Sequence, residues 1–370
     1  MPKLTDPIQI KSIQLRNRLV MAPIATGMAK DNAVADAHLR WYSVPSQFVG
    51  FVVVEASGVD PDGAILPNLI GVWDDRFIPG LRKLAETIHG NGAKTIIQLV
   101  HGGARSWRGE GENAKRMAPS EVLLMQGSAP REMSETDIQS VIAKFAAAAR
   151  RAKTASFDGV EIHAAHYYLF SQFLSPLANM RVDKWGGPIE NRARFLLDTV
   201  GEIRKVVGSD FIISCRVHAV EFLEGGMTTE DSMQVAKMLE RAGVDLINAS
   251  AIGSGSWDMV GDQKCLSTTS VPPSSGEPGI YVPFAAKLKT ACGLPVIAVG
   301  CLAEPGAADA ALGQGLDLVA IARQIIADPL APKKLLEGQH LQINRCKSCL
   351  NCFKTIREGG IMCPINTEWP

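Results

Sequence analysis

The sequence predicts an α/β protein, a (β/α)8 TIM barrel with a cysteine-rich extension at its C-terminal end. The chain has 370 residues, short apolar runs alternate eight times with helical patterns, and four of the eight cysteines lie within residues 346–363. This length suits either two domains or one large barrel, and regular strand–helix alternation favours the barrel. We expect residues 1–340 to form the barrel and residues 341–370 the cysteine-rich segment.

The eight predicted strands are short runs in which apolar and β-branched residues are nearly continuous. Such runs are typical of a parallel sheet that is covered on both faces. A doubly wound open sheet is the alternative, but no Gly-x-Gly-x-x-Gly motif follows an early strand. The predicted strands span residues 18–23, 49–57, 93–99, 159–163, 211–217, 245–250, 295–300 and 316–323.

Capping signals mark helices between these strands. Ser134 followed by Asp137 is typical of a helix N-cap with an acidic third residue. Thr229 is the expected cap of a later helix, which should end at Gly243.

Two long irregular stretches, residues 102–133 and 251–279, follow the third and sixth predicted strands. Long loops after barrel strands usually shape a ligand site. We therefore expect residues 251–279 to select the substrate.

Composition argues against several classes of protein. Hydrophobic residues make up 46% of the chain, which allows a substantial core. Lys plus Arg and Asp plus Glu both total 38, so the net charge does not indicate a nucleic acid or a membrane surface as partner. The N-terminus lacks the apolar segment of a signal peptide, so we expect a cytoplasmic protein. Thiols stay reduced in that compartment, so clustered cysteines indicate a metal or redox centre rather than disulfides.

Polar side chains recur where the predicted strands end, which is where TIM barrels place their functional groups. Gly300 and Arg323 follow the seventh and eighth strands, the usual position of a phosphate site. His163 and His166 could bind a metal, pack as a polar pair or donate hydrogen bonds to a substrate. The metal interpretation is weak because no carboxylate or third histidine lies at a useful spacing.

Several blocks of the sequence resemble the Old Yellow Enzyme family of flavin oxidoreductases. "EIHAAHYYLFSQFLSPLANMRVDKWGGPIENRARFLLDTV" (161–200) resembles its signature stretch, and "NRLVMAP", "VVVEASGVDPDGAI", "IIQLVHGGARS" and "VGCLAEP" match other blocks in order. The resemblance implies a TIM barrel that binds FMN non-covalently at its mouth and is reduced by NAD(P)H. It also implies hydride transfer from the reduced flavin to an activated C=C bond of a small unsaturated carbonyl compound.

The same resemblance implies a role for each residue of the site. His163 and His166 would donate hydrogen bonds to the carbonyl oxygen, and Tyr168, rather than its neighbour Tyr167, would supply a proton to the α-carbon. The implied FMN-binding residues are Pro23, Ile24, Ala25 and Ala56 along the ring, Gln98 and Arg216 at the pyrimidine end, and Gly300, Ala322 and Arg323 at the phosphate.

The cysteine cluster has the spacing C-x2-C-x2-C-x10-C, formed by Cys346, Cys349, Cys352 and Cys363. Three cysteines at successive short spacings with one distant partner are more typical of a 4Fe–4S cluster than of a zinc site, and zinc is the alternative. The segment also resembles the end of the barrel in 2,4-dienoyl-CoA reductase and trimethylamine dehydrogenase, which carry such a cluster beside FMN.

Those relatives continue into nucleotide-binding domains, whereas this chain ends seven residues after Cys363. We therefore expect either direct reduction by NAD(P)H or a separate electron-transfer protein. Ala25 stands where trimethylamine dehydrogenase attaches its flavin through a cysteine, which favours an ene-reductase over an amine dehydrogenase or demethylase. The third hypothesis, a non-flavin barrel lyase with a zinc-stabilised tail, lacks a lysine at any predicted strand end. The relatives imply a homo-oligomer.

Overall fold

The computed structural model describes residues 1–107, 116–125, 128–269, 277–356 and 359–366. Eight parallel strands close into a barrel, in which neighbouring strands follow one another along the chain and the eighth pairs with the first. The predicted (β/α)8 fold is therefore confirmed. The barrel strands are β1 Leu19–Met21, β2 Phe51–Gly58, β3 Lys94–Val100, β4 Gly159–Ala164, β5 Ile212–Glu221, β6 Leu246–Ile252, β7 Val296–Ala298 and β8 Leu318–Ile321.

Helices alternate with the strands and cover the outside of the barrel. The α-helices span Asp36–Ser43, Ile78–Gly90, Glu135–Thr154, Leu169–Leu174, Ile189–Val207, Thr229–Ala242, Val282–Ala291, Ala307–Gly313, Arg323–Ala327, Ala331–Leu336 and Asn351–Thr355. In the part of the chain that the structure describes, none of the helices has the length and apolar character needed to cross a membrane.

The predicted N-cap residue was correct at one helix and wrong by one position at the other. Ser134 Oγ accepts a hydrogen bond from Asp137 N, and the Asp137 carboxylate accepts one from Ser134 N, which forms a complete capping box. The prediction that Thr229 caps the later helix was wrong. Thr228 Oγ1 is the acceptor for the third helical N–H, and Thr229 is the first helical residue. That helix ends at Gly243 as predicted, with the glycine in the left-handed conformation (φ 94°).

The loop after β6 is partly regular, which corrects the prediction of an irregular stretch over 251–279. Ser254–Val260 pairs antiparallel with Gln263–Thr269 to form a hairpin. Residues 270–276 of this predicted loop lie outside the described residues, as do 108–115 and 126–127 of the loop after β3. A bridge between Leu123 and Cys265 joins the two loops.

The N-terminal end of the barrel is closed by a small hairpin. Ile8–Ile10 pairs antiparallel with Ile13–Leu15, and Ile10 and Leu15 are buried in the same apolar cluster as Phe51 and other residues inside the barrel. Because apolar side chains fill this end, a ligand site is expected at the opposite end, where the strands have their C-termini.

Candidate active site

A cavity of about 1140 Å³ opens at the C-terminal ends of the barrel strands. This volume is at the upper end of typical small-molecule sites, so it can hold a cofactor together with a substrate. All the residues predicted as catalytic or FMN-binding line this one cavity. They are Pro23, Ile24, Ala25, Ala56, Gln98, His163, His166, Tyr168, Arg216, Gly300, Ala322 and Arg323.

Three aromatic side chains meet where β4 ends. The ring of His163 lies 4.9 Å from that of His166 and 4.8 Å from that of Tyr168, in edge-to-face arrangements. The chain reaches this geometry through a tight turn in which His166 and Tyr167 both have positive φ, 60° and 55°. Non-glycine residues rarely adopt this conformation, so the surrounding structure must hold the turn in place.

Both histidines are neutral at neutral pH. Burial lowers the pKa of His163 and of His166 well below the usual range, and the nearby Arg216 charge lowers both further. Ala165 N donates a hydrogen bond to His163 Nδ1 at 3.3 Å, so a neutral His163 carries its proton on Nε2. His166 Nε2 lies 2.8 Å from Ser250 Oγ, so one of its two ring nitrogens is already engaged.

A buried carboxylate supports the turn that carries these residues. Backbone N–H of His166 donates to His218 Nε2 at 2.6 Å, and His218 Nδ1 lies 3.1 Å from Glu221 Oε1. Tyr167 points away from the cavity, because its hydroxyl donates to Glu221 Oε2 at 2.9 Å. The same oxygen also accepts from Ser175 Oγ at 2.8 Å and from Met227 N at 3.0 Å. Neither His218 nor Glu221 belongs to a local motif, so the sequence alone did not identify them as site residues.

A second buried carboxylate, Glu161, lies inside the barrel beside Gln98 and near Arg216. Gln98 Nε2 donates to Glu161 Oε1 at 2.7 Å, which fixes the orientation of the Gln98 amide. Burial raises the pKa of Glu161, and the positive charge of Arg216 opposes that rise. Ser214 Oγ and Asn248 Nδ2 each donate to Glu161 Oε2 at 3.0 Å. The sequence analysis did not single out Glu161.

The opposite side of the cavity is formed by the loops after β7 and β8. Gly300 has φ 112°, and a Cβ at this position would lie 3.1 Å from the Tyr281 ring, so the backbone here requires glycine. Arg323 begins a short helix directly after Ala322. Its Nη1 is buried with no hydrogen-bond partner among the described residues, and the same is true of Arg216 Nε.

These observations fit FMN. Two half-buried arginines, each with one buried N–H donor that lacks a partner among the described residues, suit a phosphate and an electron-rich ring edge, because buried donors are normally satisfied. Apolar residues such as Ile24, Ala25 and Ala56 line the same cavity and suit a flat aromatic ring.

The cysteines are only partly brought together. Cys346 lines the cavity, whereas Cys349, Cys352 and Cys363 do not appear among its lining residues. Burial raises the pKa of Cys352, and the nearby thiols of Cys346 and Cys363 raise it further. Within the described ranges, however, no group of three Cys, His, Asp or Glu side chains is arranged to hold a metal ion. The arrangement of the thiols therefore does not support the predicted metal site.

The cysteine-rich segment packs directly on the barrel mouth. Ile361 N donates to Thr26 O at 2.8 Å, and Gly27 (φ 68°) lies so close that a Cβ would meet Ile356 O at 2.2 Å. On its other side, Thr26 donates through both N and Oγ1 to the buried carboxylate of Glu55, each at 2.8 Å. Thr26 therefore connects β2 to the cysteine-rich segment, next to the predicted flavin-lining residues.

Comparison with known proteins identifies the family. Residues 3–342 match the NADH:flavin oxidoreductase / NADH oxidase family. The chain belongs to this family. Membership confirms the predicted likeness to Old Yellow Enzymes, NAD(P)H-dependent flavin oxidoreductases, and supports FMN and NAD(P)H as the cofactor and the reductant.

Proteins similar to this chain include some that are much longer. The chain is 39% identical to the NADH oxidase of Thermoanaerobacter brockii across 99% of its own length but only 56% of that relative. It is 36% identical to the NADPH dehydrogenase of Bacillus subtilis, covering 88% of the chain and 92% of that protein. A 2-naphthoyl-CoA reductase, solved with 2-naphthoyl-CoA, superposes with a TM-score of 0.88 at 29% identity, covering 98% of the chain and 56% of the reductase. The chain thus spans about half the length of the first and third of these proteins.

Proposed function

We propose that this protein is an FMN-dependent ene-reductase that acts on an α,β-unsaturated carbonyl or enoate compound. Bound FMN, reduced by NAD(P)H, would supply the hydride that the β-carbon accepts. The observation that carries the proposal is the meeting of His163, His166 and Tyr168 in the cavity that Arg216 and Arg323 also line, each with one N–H donor that lacks a partner among the described residues.

The two histidines would activate the substrate. His163 presents Nε2–H, and His166 would use the ring nitrogen that Ser250 leaves free. Because both rings are neutral and fixed, they can donate to the carbonyl oxygen as negative charge develops on it, without titrating near neutral pH. This arrangement draws electron density from the alkene and prepares its β-carbon for hydride.

Tyr168 would supply the proton to the α-carbon. Its ring packs edge to face against His163, so it would lie beside a carbonyl bound by that histidine. Tyr167 cannot take this role from its present position, because its hydroxyl is buried against Glu221. A phenol is neutral at pH 7 and can therefore act as the general acid.

The remaining cavity residues would hold FMN. Arg216 would lie at the electron-rich end of the ring with Gln98, whose amide Glu161 orients. Arg323 would bind the phosphate beside Gly300 and Ala322, and Pro23, Ile24, Ala25 and Ala56 would contact the ring.

We further propose that residues 341–370 form a separate segment on the barrel 1–340, in which Cys346, Cys349, Cys352 and Cys363 bind a 4Fe–4S cluster, with zinc as the alternative. The spacing supports the proposal and the present arrangement of the thiols does not, so we assign no electron-transfer step or protein partner to them. Iron and zinc analysis after anaerobic purification tests it. A protein that contains neither iron nor zinc would refute the proposed metal site.

Stopped-flow absorbance tests the main proposal. NADPH or NADH should bleach the flavin, and 2-cyclohexenone should restore its colour. Tyr168→Phe should slow the restoration roughly 100-fold and leave the bleaching unchanged, whereas Tyr167→Phe is the matched control. Bleaching by an amine alone would favour the amine dehydrogenase. A colourless protein would favour the zinc-stabilised lyase.

A further inference from the structure

Arg105 lies beside the proposed catalytic residues and has no role so far. It ends a short 3₁₀ turn, Gly103–Arg105, directly after β3. Its half-buried side chain lines the cavity together with His166 and Tyr168. The electrostatic influence of Arg105 on His166, and of Tyr168 on Arg105, shows that the three groups are close neighbours.

Arg105 meets only neutral acceptors in the described part of the chain. Its Nη1 donates to the backbone oxygen of His166 at 3.0 Å, and its Nη2 donates to Thr268 Oγ1 at 2.6 Å, with Thr268 O at 3.5 Å. The groups that interact with its charge are Tyr168, Tyr167 and Cys265, which are uncharged at neutral pH. Burial lowers the pKa of Arg105, and no carboxylate of the described residues forms an ion pair with it.

Two partly enclosed arginines outside the cavity, by contrast, are paired with carboxylates. Arg181 lies 2.6 Å from a carboxylate oxygen of Asp183, and Arg192 lies 3.5 Å from one of Asp231. An enclosed cation without a counter-charge is costly, so such groups are normally paired. In a ligand cavity the missing anion can come from the ligand.

We propose that Arg105 binds a carboxylate carried by the substrate, so that the enzyme prefers unsaturated carbonyl compounds that also bear a carboxylate. This inference rests on the proposed ene-reductase function. A guanidinium presents several N–H donors in one plane and suits a carboxylate better than any neutral group. The same guanidinium holds the backbone of His166, so the anion-binding group and the carbonyl-activating group belong to one rigid unit.

Matched acid and amide substrates test the proposal. The substrates are trans-4-oxo-2-pentenoate and trans-4-oxo-2-pentenamide, which have the same shape and differ by one charge. Wild-type kcat/KM should be higher for the acid. Arg105→Gln, which removes the charge and keeps an N–H donor, should lower kcat/KM for the acid roughly ten- to hundredfold more than that for the amide. Arg105→Lys should restore part of the preference.

The control removes a different cavity cation. Lys354 lies in the cysteine-rich segment and also lines the cavity. Lys354→Gln should leave the acid-to-amide ratio within about twofold of wild type if the effect belongs to Arg105. If Lys354→Gln lowers the acid-to-amide ratio as much as Arg105→Gln does, the proposal is overturned, because the effect is then one of general charge. If Arg105→Gln lowers kcat/KM equally for the acid and the amide, the proposal is also overturned, because the arginine then acts only through the hairpin.

Binding of saturated analogues separates this inference from the ene-reductase proposal. The flavin absorbance change on titration with 4-oxopentanoate and with 4-oxopentanamide gives both Kd values without turnover. Tighter binding of the acid by wild-type protein, lost in Arg105→Gln, supports the anion site even if 2-cyclohexenone is not reduced. Equal Kd values for the two analogues in the wild type overturn it, and this measurement does not depend on any variant folding.

Discussion

Glu221 should control catalysis through the tautomer of His218, and Glu221→Gln tests this. Three donors converge on Glu221 Oε2, and His218 Nδ1 faces Oε1. In the variant the amide oxygen should keep the three donors, so its NH2 group faces His218 Nδ1. His218 must then leave Nδ1 unprotonated and carry its proton on Nε2. That proton would face the backbone N–H of His166, which now donates to the same nitrogen.

The expected losses follow from these contacts. The variant gives up one charge-assisted hydrogen bond and leaves the buried N–H of His166 unpaired, which should lower the free energy of unfolding by about 3 kcal/mol. For a chain of 370 residues this corresponds to a fall in Tm of about 4 °C. Since His166 and Tyr167 hold positive φ angles, release of the turn should displace Tyr168 and slow reoxidation of the reduced flavin by 2-cyclohexenone roughly 100-fold.

Thermal unfolding and stopped-flow reoxidation measure the two effects, with the FMN content of each preparation matched. Ser175→Ala is the control, because it removes one donor to Oε2 and leaves His218 untouched. It should cost about 1 kcal/mol and change the reoxidation rate less than about twofold. The reasoning fails if Glu221→Gln reoxidises at the wild-type rate, or if Ser175→Ala slows reoxidation as much.

Three further variants test other parts of the structure. Arg323→Met should lose most of its FMN on gel filtration, whereas Arg345→Met, which removes an exposed arginine paired with Glu304, should retain it; equal retention would exclude a phosphate role. Burial raises the pKa of Glu55 to about 7, so the folded protein binds more protons than the unfolded chain between about pH 4.5 and 7, and stability falls as pH rises. In urea titrations, the unfolding free energy of Glu55→Gln minus that of the wild type should therefore rise by about 1.4 kcal/mol per pH unit over this range. A difference that does not change with pH would contradict this. Gly27→Ala should release the cysteine-rich segment, seen as faster limited proteolysis after residue 340; unchanged cleavage would show that this contact does not hold it.

Local sequence patterns predicted the barrel strands and many of the residues that line the cavity at their C-terminal ends. The barrel strands were recognisable because a strand buried on both faces is largely apolar along its length, as in β1 and β8. The helix cap at Ser134 was also predictable from local sequence, because its hydrogen bonds join residues three positions apart. The cap at Thr228 was misassigned by one position, because two successive threonines offer the same local signal.

What the sequence determined by itself is the periodicity of strands and helices, the residues that follow each strand, and the family to which their order belongs. Only the tertiary structure decided that Glu221 holds the Tyr167 hydroxyl, and that Arg105 lies beside His166 without a counter-charge among the described residues. These decisions depend on contacts between residues far apart in the chain, such as His218 with His166 and Thr268 with Arg105. Spacing encodes neighbours along a strand or helix, whereas the closing of the barrel selects which distant side chains meet.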